Sequence, residues 1–184
     1  MSITAQQAHQ VLEKADCCYT KTQIESAIDS MAESITKDLG DKNPLLLCVM
    51  TGGLITTGDL LLRLDFPLHY DYIHATRYSG KTRGSDLNWI SRPHTSLKDR
   101  HVLIVDDILD EGITLQELVL YCEEEQVSSV RTAVLVNKLH DRKHFSDADY
   151  VGLTVEDRYV FGYGMDYKGY LRNVPGIYAV NESE

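Results

Sequence analysis

Three aspartates, Asp106, Asp107 and Asp110, follow directly on the apolar run at residues 101–105, and Glu111, Gly112, Ile113 and Thr114 come next. An apolar, β-branched burst that stops at two adjacent carboxylates reads as a buried strand, and the amphipathic pattern from Ile113 onward reads as a helix. The loop at 106–114 would then open that helix, and its amides, with the Thr114 hydroxyl, suit a phosphate. The paired acids suit vicinal sugar hydroxyls or a metal ion. A site that needs both wants a phosphorylated sugar. Two plainer readings compete: a helix cap flanked by solvated acids, and the acidic pocket of a receiver domain. Neither accounts for the whole Asp-Asp-x-x-Asp-x-Gly-x-Thr spacing.

Two further candidates stand at comparable places. Thr51, Gly52 and Gly53 follow the apolar run at 45–50, and glycines there let the backbone approach a ligand closely. Lys138 follows a third apolar run, at 130–136. All three sets would lie at the carboxyl ends of strands, where sites form in open α/β sheets. The elements needed to hold them are legible. Ile24, Ile28, Met31, Ile35 and Leu39 recur at helical spacing, with Thr20 or Thr22 to cap the start and Gly40 to end it. A second helix should run from Gly53 to near Leu64, a strand over 68–76, a helix over 113–125, and short strands over 150–155 and 159–163. The polar stretch 78–98, broken by Gly80, Gly84 and Pro93, reads as a long loop or ribbon. Strands alternating with helices predict a parallel sheet covered on both faces.

Composition narrows the class. A chain of 184 residues fits one domain with a real core. A net charge of −10 argues against a nucleic-acid surface, which needs a basic face. It leaves an anionic small molecule open, because local amides and metal ions can attract one. Against that acidic background, residues 76–100 carry six Lys or Arg and two Asp. Cys48 and Cys122 fall in apolar patterns, and none of the four cysteines forms a C-x-x-C pair, so free thiols in a reducing compartment are expected. The first sixteen residues lack a basic n-region and an apolar h-region, and no apolar run approaches membrane length. A cytoplasmic, membrane-free protein is the expectation.

The run at 101–115 also resembles the phosphoribosyl-pyrophosphate (PRPP) motif of the type I phosphoribosyltransferases: an apolar strand, two acids, two apolar residues, then Asp-x-Gly-x-Thr. Further matches from about Leu45 to Arg172 narrow it to the 6-oxopurine enzymes, the hypoxanthine-guanine phosphoribosyltransferases. The resemblance implies an α/β type I phosphoribosyltransferase fold in a single domain over 1–184. A central parallel sheet flanked by helices would form the core (about 40–155). A small hood subdomain would come from the N-terminal segment and about 156–184. It implies Mg²⁺-dependent transfer of 5-phosphoribosyl from PRPP to N9 of hypoxanthine or guanine, giving IMP or GMP and pyrophosphate, in a homo-oligomer of two or four subunits. Two alternatives stay open: a xanthine-preferring enzyme, and a regulator that binds PRPP without chemistry.

By the same resemblance, Glu111, Gly112, Ile113 and Thr114 would hold the 5′-phosphate, while Asp106 and Asp107 would take the ribose hydroxyls and help place Mg²⁺. Thr51, Gly52 and Gly53 would meet pyrophosphate, often with a cis peptide, here Met50–Thr51. Many relatives carry Lys or Arg where this chain has Thr51. Asp110 would be the general acid/base at N7 of the purine, a task that a raised pKa would favour. Lys138 would donate to the purine O6, with Arg142 as support. Arg77 and Tyr78 would open a mobile lid; most relatives have Ser-Tyr there. Tyr159 would stack on the base, the Val160 backbone would read its edge, Asp166 would bind Mg²⁺, and Arg172 would contact pyrophosphate. Oxygen ligands suit that ion.

Overall fold

Three short apolar stretches, at 45–49, 102–105 and 132–136, form the middle of the central sheet because each can bury both faces. The computed structural model describes residues 3–77, 87–145 and 147–181. It opens with α1 (Ala5–Lys14), β1 (Asp16–Tyr19) and α2 (Lys21–Leu39). Of the two threonines expected to cap α2, Thr20 holds the position, and its N–H donates to Gln23 Oε1 at 2.9 Å. Then follow β2 (Leu45–Val49), α3 (Leu54–Leu61), β3 (His69–Arg77), β4 (Leu87–Ser91), β5 (His101–Leu109), α4 (Ile113–Glu124), β6 (Ser129–Leu139), β7 (Tyr150–Glu156), β8 (Val160–Phe161) and β9 (Ile177–Ala179).

Six of these strands form one sheet in the order β4-β3-β2-β5-β6-β7, parallel except for the β3–β4 pair. Side chains alternate across it with period two. Leu46, Leu103, Val105 and Leu135 join the α2 residues Ile24, Ile28, Met31 and Ile35 in one core cluster. Leu45, Leu47, Ile104 and Val134 join Leu115, Leu118 and Cys122 of α4 in the other. Helices thus cover both faces, and the strands' carboxyl ends share one edge of the molecule. A second, antiparallel sheet, β1-β9-β8, draws residues from both ends of the chain, pairing Asp16 with Ala179 and Val160 with Ala179.

Several boundaries depart from expectation. The strand expected to end at Val105 continues to Leu109, because β6 pairs with it through Asp106↔Val134, Ile108↔Val136 and Leu109↔Asn137. Asp106 and Asp107 therefore belong to a strand and not to the loop. Lys138 likewise lies inside β6, pairing with Val155 of β7. The helix expected to reach Leu64 ends at Leu61, and i→i−3 bonds from Arg63 N and Leu64 N tighten the chain after it. The stretch 78–98 is a ribbon where it is described, with β4 against β3. The strand expected over 159–163 is two residues long, and tight turns follow it, bridged at Gly162↔Met165 and Tyr167↔Tyr170. Cys48 and Cys122 are buried free thiols.

Candidate active site

At the carboxyl ends of β2, β3, β5 and β6 lies a cleft of about 480 Å³. The expected residues Thr51, Gly52, Asp106, Asp107, Asp110, Gly112, Thr114, Lys138, Tyr159, Val160, Asp166 and Arg172 all line it. Convergence follows from topology, since parallel neighbours deliver their last residues to the same edge.

Its floor is acidic. The Asp107 side chain is almost buried, and the Asp107 N–H donates to Asp106 Oδ1 at 2.8 Å. Burial and the neighbouring carboxylate push Asp106 well above the usual carboxylate range, and burial raises Asp107; the nearby Arg172 guanidinium opposes both. Two desolvated acids side by side want hydroxyl donors or a cation, and an oxygen-only donor set of this kind fits a hard divalent ion. Beside them, Met50–Thr51 is a cis peptide, the conformation the resemblance suggested. Gly52 sits against Asp107, and the backbone at Gly164 comes so close to the Gly52 carbonyl that a Cβ there would lie 2.3 Å from it.

The phosphate-type loop is short, because β5 reaches Leu109. Gly112 takes a left-handed conformation (φ 81°) to cap α4, and its carbonyl accepts the Gln116 N–H at 2.9 Å. Phe145 packs so closely there that a Cβ on Gly112 would lie 2.7 Å from Phe145 Cβ. Thr114 sits in the first turn of α4, where amides and the helix dipole favour an anion.

Asp110 is gripped from two sides. Lys138 Nζ donates to its Oδ2 at 2.9 Å, and His140 Nε2 lies 2.7 Å from its Oδ1. Burial pushes the Asp110 carboxyl up, but hydrogen bonds from Lys138 and His140, with the Lys138 charge, outweigh it and hold the group below its ordinary range. This is the opposite of the raised pKa that acid/base duty was expected to require. At neutral pH Asp110 is a carboxylate.

The opposite wall comes from the second sheet and its turns. Tyr159, half exposed, stands edge-on to Tyr167 at 5.4 Å between ring centroids, and its hydroxyl donates to the Asp166 carbonyl at 3.3 Å. Arg172 Nη2 donates to Asp166 Oδ1 at 2.7 Å and Nη1 to the Gly164 carbonyl at 2.5 Å, while the Gly169 N–H donates to Asp166 Oδ2 at 2.7 Å. Each Asp166 oxygen therefore keeps a lone pair free of these donors, which leaves room for a cation. Arg142 grips Asp157 through two bonds of 2.8 and 3.0 Å.

Some expected residues do not face the cleft. The Gly53 N–H, expected to meet pyrophosphate, donates instead to Val49 O at 2.9 Å as the chain turns into α3. Ile113 opens α4 without lining the cleft. Glu111 is also outside the lining, and its carbonyl accepts the His144 N–H at 2.8 Å. Arg77 is the last residue of β3, not part of a loop, and Tyr78 lies outside the described residues. Sequence reasoning missed His140, and also His74, Thr76 and Met165 of the lining. His140 carried a usable signal: two residues beyond Lys138, an extended chain puts both on one face. His74 and Thr76 show the same spacing on β3, but on a strand of mixed polarity it singles out nothing.

The fold and this acid-lined cleft above a helix N-terminus define a phosphoribosyltransferase, and the chain belongs to that family: the model of the phosphoribosyl transferase domain matches residues 18–168. Among its relatives, the hypoxanthine-guanine-xanthine phosphoribosyltransferase of Tritrichomonas foetus is 36% identical over 166 residues, covering 90% of this chain and 91% of the relative. The hypoxanthine-guanine phosphoribosyltransferase of Bacillus subtilis is 32% identical over 159 residues, 86% and 88% of the two chains. A crystal structure of a hypoxanthine phosphoribosyltransferase from Staphylococcus aureus superimposes with a TM-score of 0.87 at 27% identity, covering 97% of each chain.

Proposed function

We propose that the protein is a 6-oxopurine phosphoribosyltransferase of purine salvage. It transfers 5-phosphoribosyl from PRPP to N9 of hypoxanthine or guanine, giving IMP or GMP and pyrophosphate. The observation that carries this reading is the Asp110 carboxylate held by Lys138 and His140, in one cleft with the N-terminus of α4 and the Asp166–Arg172 pair.

The residues divide the substrates between them. Amides at Gly112 to Thr114 and the Thr114 hydroxyl hold the 5′-phosphate. Asp106 and Asp107 accept hydrogen bonds from the ribose hydroxyls, which relieves their crowding. Thr51 and Gly52 present backbone to the pyrophosphate, and Arg172 supplies the charge that Thr51 lacks. Tyr159 stacks on the base and the Val160 backbone meets its edge. Lys138 donates to O6, which selects oxo over amino purines because adenine presents a donor there. As the C1′–oxygen bond breaks and the N9–C1′ bond forms, the N7 proton becomes more acidic. The Asp110 carboxylate accepts a hydrogen bond from it, balances the charge growing on the ring, and passes the N7 proton on to water once the N9–C1′ bond has formed, leaving the base of IMP or GMP neutral. A low pKa makes Asp110 a weak base, so its electrostatic part should exceed full proton removal. Asp166, with Asp106 and Asp107 on the ribose side, would hold Mg²⁺, whose charge stabilises pyrophosphate as a leaving group.

Xanthine is a second candidate base, favoured by the name of the Tritrichomonas foetus relative. A cytoplasmic dimer or tetramer that engages neither membrane nor nucleic acid completes the proposal. The net charge of −10 disfavours a nucleic-acid surface; among the described residues no helix is long and apolar enough to cross a membrane. The test is an ultraviolet assay of purified protein with PRPP and hypoxanthine, guanine, xanthine or adenine, with and without Mg²⁺. Mg²⁺-dependent nucleotide from hypoxanthine and guanine, and none from adenine, is the expected result. Turnover of xanthine alone would move the specificity. PRPP binding without turnover of any base would replace the enzyme by a sensor.

A further inference from the structure

The His140 side chain is 3% exposed and has no part in the reaction as described above. Its Nδ1 accepts the Arg142 backbone N–H at 3.1 Å. An amide N–H can only donate, so Nδ1 carries no proton, and the neutral ring carries its proton on Nε2. The 2.7 Å contact with Asp110 is therefore a hydrogen bond donated by Nε2–H to Oδ1. A second proton on Nδ1 would face the Arg142 N–H head-on. The ring is thus a fixed donor and not a proton relay.

Asp110 needs such a donor. Lys138 is a point charge on a flexible stem, and its single bond to Oδ2 lets the carboxylate plane turn. A second donor on a buried ring, pinned at its far nitrogen, stops that turn. We propose that His140 is a positioning residue for Asp110: it locks the carboxylate plane so that one Asp110 lone pair faces N7 of the bound 6-oxopurine. This rests on the reading of Asp110 given above. Arg142 extends the frame. Its N–H pins the ring while its guanidinium grips Asp157, two residues before Tyr159. Acid and stacking ring are held through a single residue.

His140, Asp110 and Asp157 also place ligand atoms within 4.8 Å of one another, as a metal trio would. Lys138 and Arg142 already neutralise both carboxylates, and Nε2 bears the proton that a metal would have to displace. The trio is an ion-pair network.

Two substitutions divide the ring's two contacts. In His140→Gln the amide nitrogen reaches the place of Nε2, keeping the donor to Asp110 and giving up the acceptor for Arg142. In His140→Asn the carbonyl oxygen takes the place of Nδ1, keeping the acceptor and losing the donor. Steady-state kinetics and thermal melting of the full chain read them out. Expected for His140→Asn is a kcat about tenfold to a hundredfold lower, as when a hydrogen bond to a charged group is lost, with the KM for PRPP within about threefold. His140→Gln should keep most of the activity while melting no higher than His140→Asn. Wild-type kcat in His140→Asn, or equal losses in both that follow their melting temperatures, would overturn the assignment while leaving the enzyme reading intact. An unsubstituted chain inactive with every 6-oxopurine would remove both together.

Discussion

Substituting Gly52 by Ala tests how tightly the loop after β2 is fitted to the acidic floor. A Cβ on Gly52 would lie 2.1 Å from Asp107 Oδ2, 2.6 Å from Cγ and 2.9 Å from Oδ1. Ordinary carbon contacts lie near 3.5 Å, so the carboxylate must move by roughly 1 Å or more. It has little room, being 8% exposed and beside Asp106. The loop cannot retreat either, because the Gly164 backbone stands against the Gly52 carbonyl. Overpacking of this kind costs about 1–3 kcal/mol, and at about 2–4 °C per kcal/mol the melting temperature should fall by roughly 2–12 °C. Turnover should fall on the order of a hundredfold, since a misplacement of ~1 Å can cost that much. Gly58→Ala is the control: no atom lies within 4 Å of a Cβ at this exposed helical position, and it should stabilise by about 0.5–1 kcal/mol. Paired melts and steady-state assays decide. A Gly52→Ala protein that melts and turns over like its parent would refute the fit of loop to floor.

Asp110→Ala should lower kcat by about 10²–10⁴ while leaving the KM for PRPP within a few-fold, and near-normal turnover would take Asp110 out of the chemistry. Asp166→Ala, which frees Arg172 Nη2 and the Gly169 N–H, should raise the Mg²⁺ concentration for half-maximal activity by about tenfold; an unchanged Mg²⁺ curve would refute that role. Burial raises the Asp71 carboxyl, but N–H donors at Thr95, Tyr72 and His94 outweigh it and hold the group below its ordinary value. Its stabilisation is therefore full above the unfolded value of ~3.9 and is lost as pH falls through the lower folded value. Asp71→Asn should cost about 1–3 kcal/mol at pH 7, and melts repeated from pH 7 to 3 should show that deficit narrowing only at the acid end.

Sequence was most informative where one residue type served one purpose. The Asp-Asp-x-x-Asp-x-Gly-x-Thr run named the floor, the gripped carboxylate and the helix start, because each needs a particular donor or conformation. The α2 stripe and the buried strands were legible from period alone. What escaped notice depends on partners distant in the chain. Asp106 and Asp107 look like the start of a loop until β6 is alongside to pair the backbone as far as Leu109. β1 and β9 are too short to show a period and exist because they pair with each other. The direction of the Asp110 shift needed Lys138 and His140, some thirty residues away, and no reading of residues 106–114 alone contains them.

The pairing of Asp16 with Ala179 has a consequence for biosynthesis. The six strands of the large sheet lie between residues 45 and 156, so a nascent chain can assemble the acidic floor before residues 157–181 leave the ribosome. The wall that carries Tyr159 must wait for β9, which closes onto β1, a strand made about 160 residues earlier. An interrupted chain would hold the acidic floor with no wall for the base.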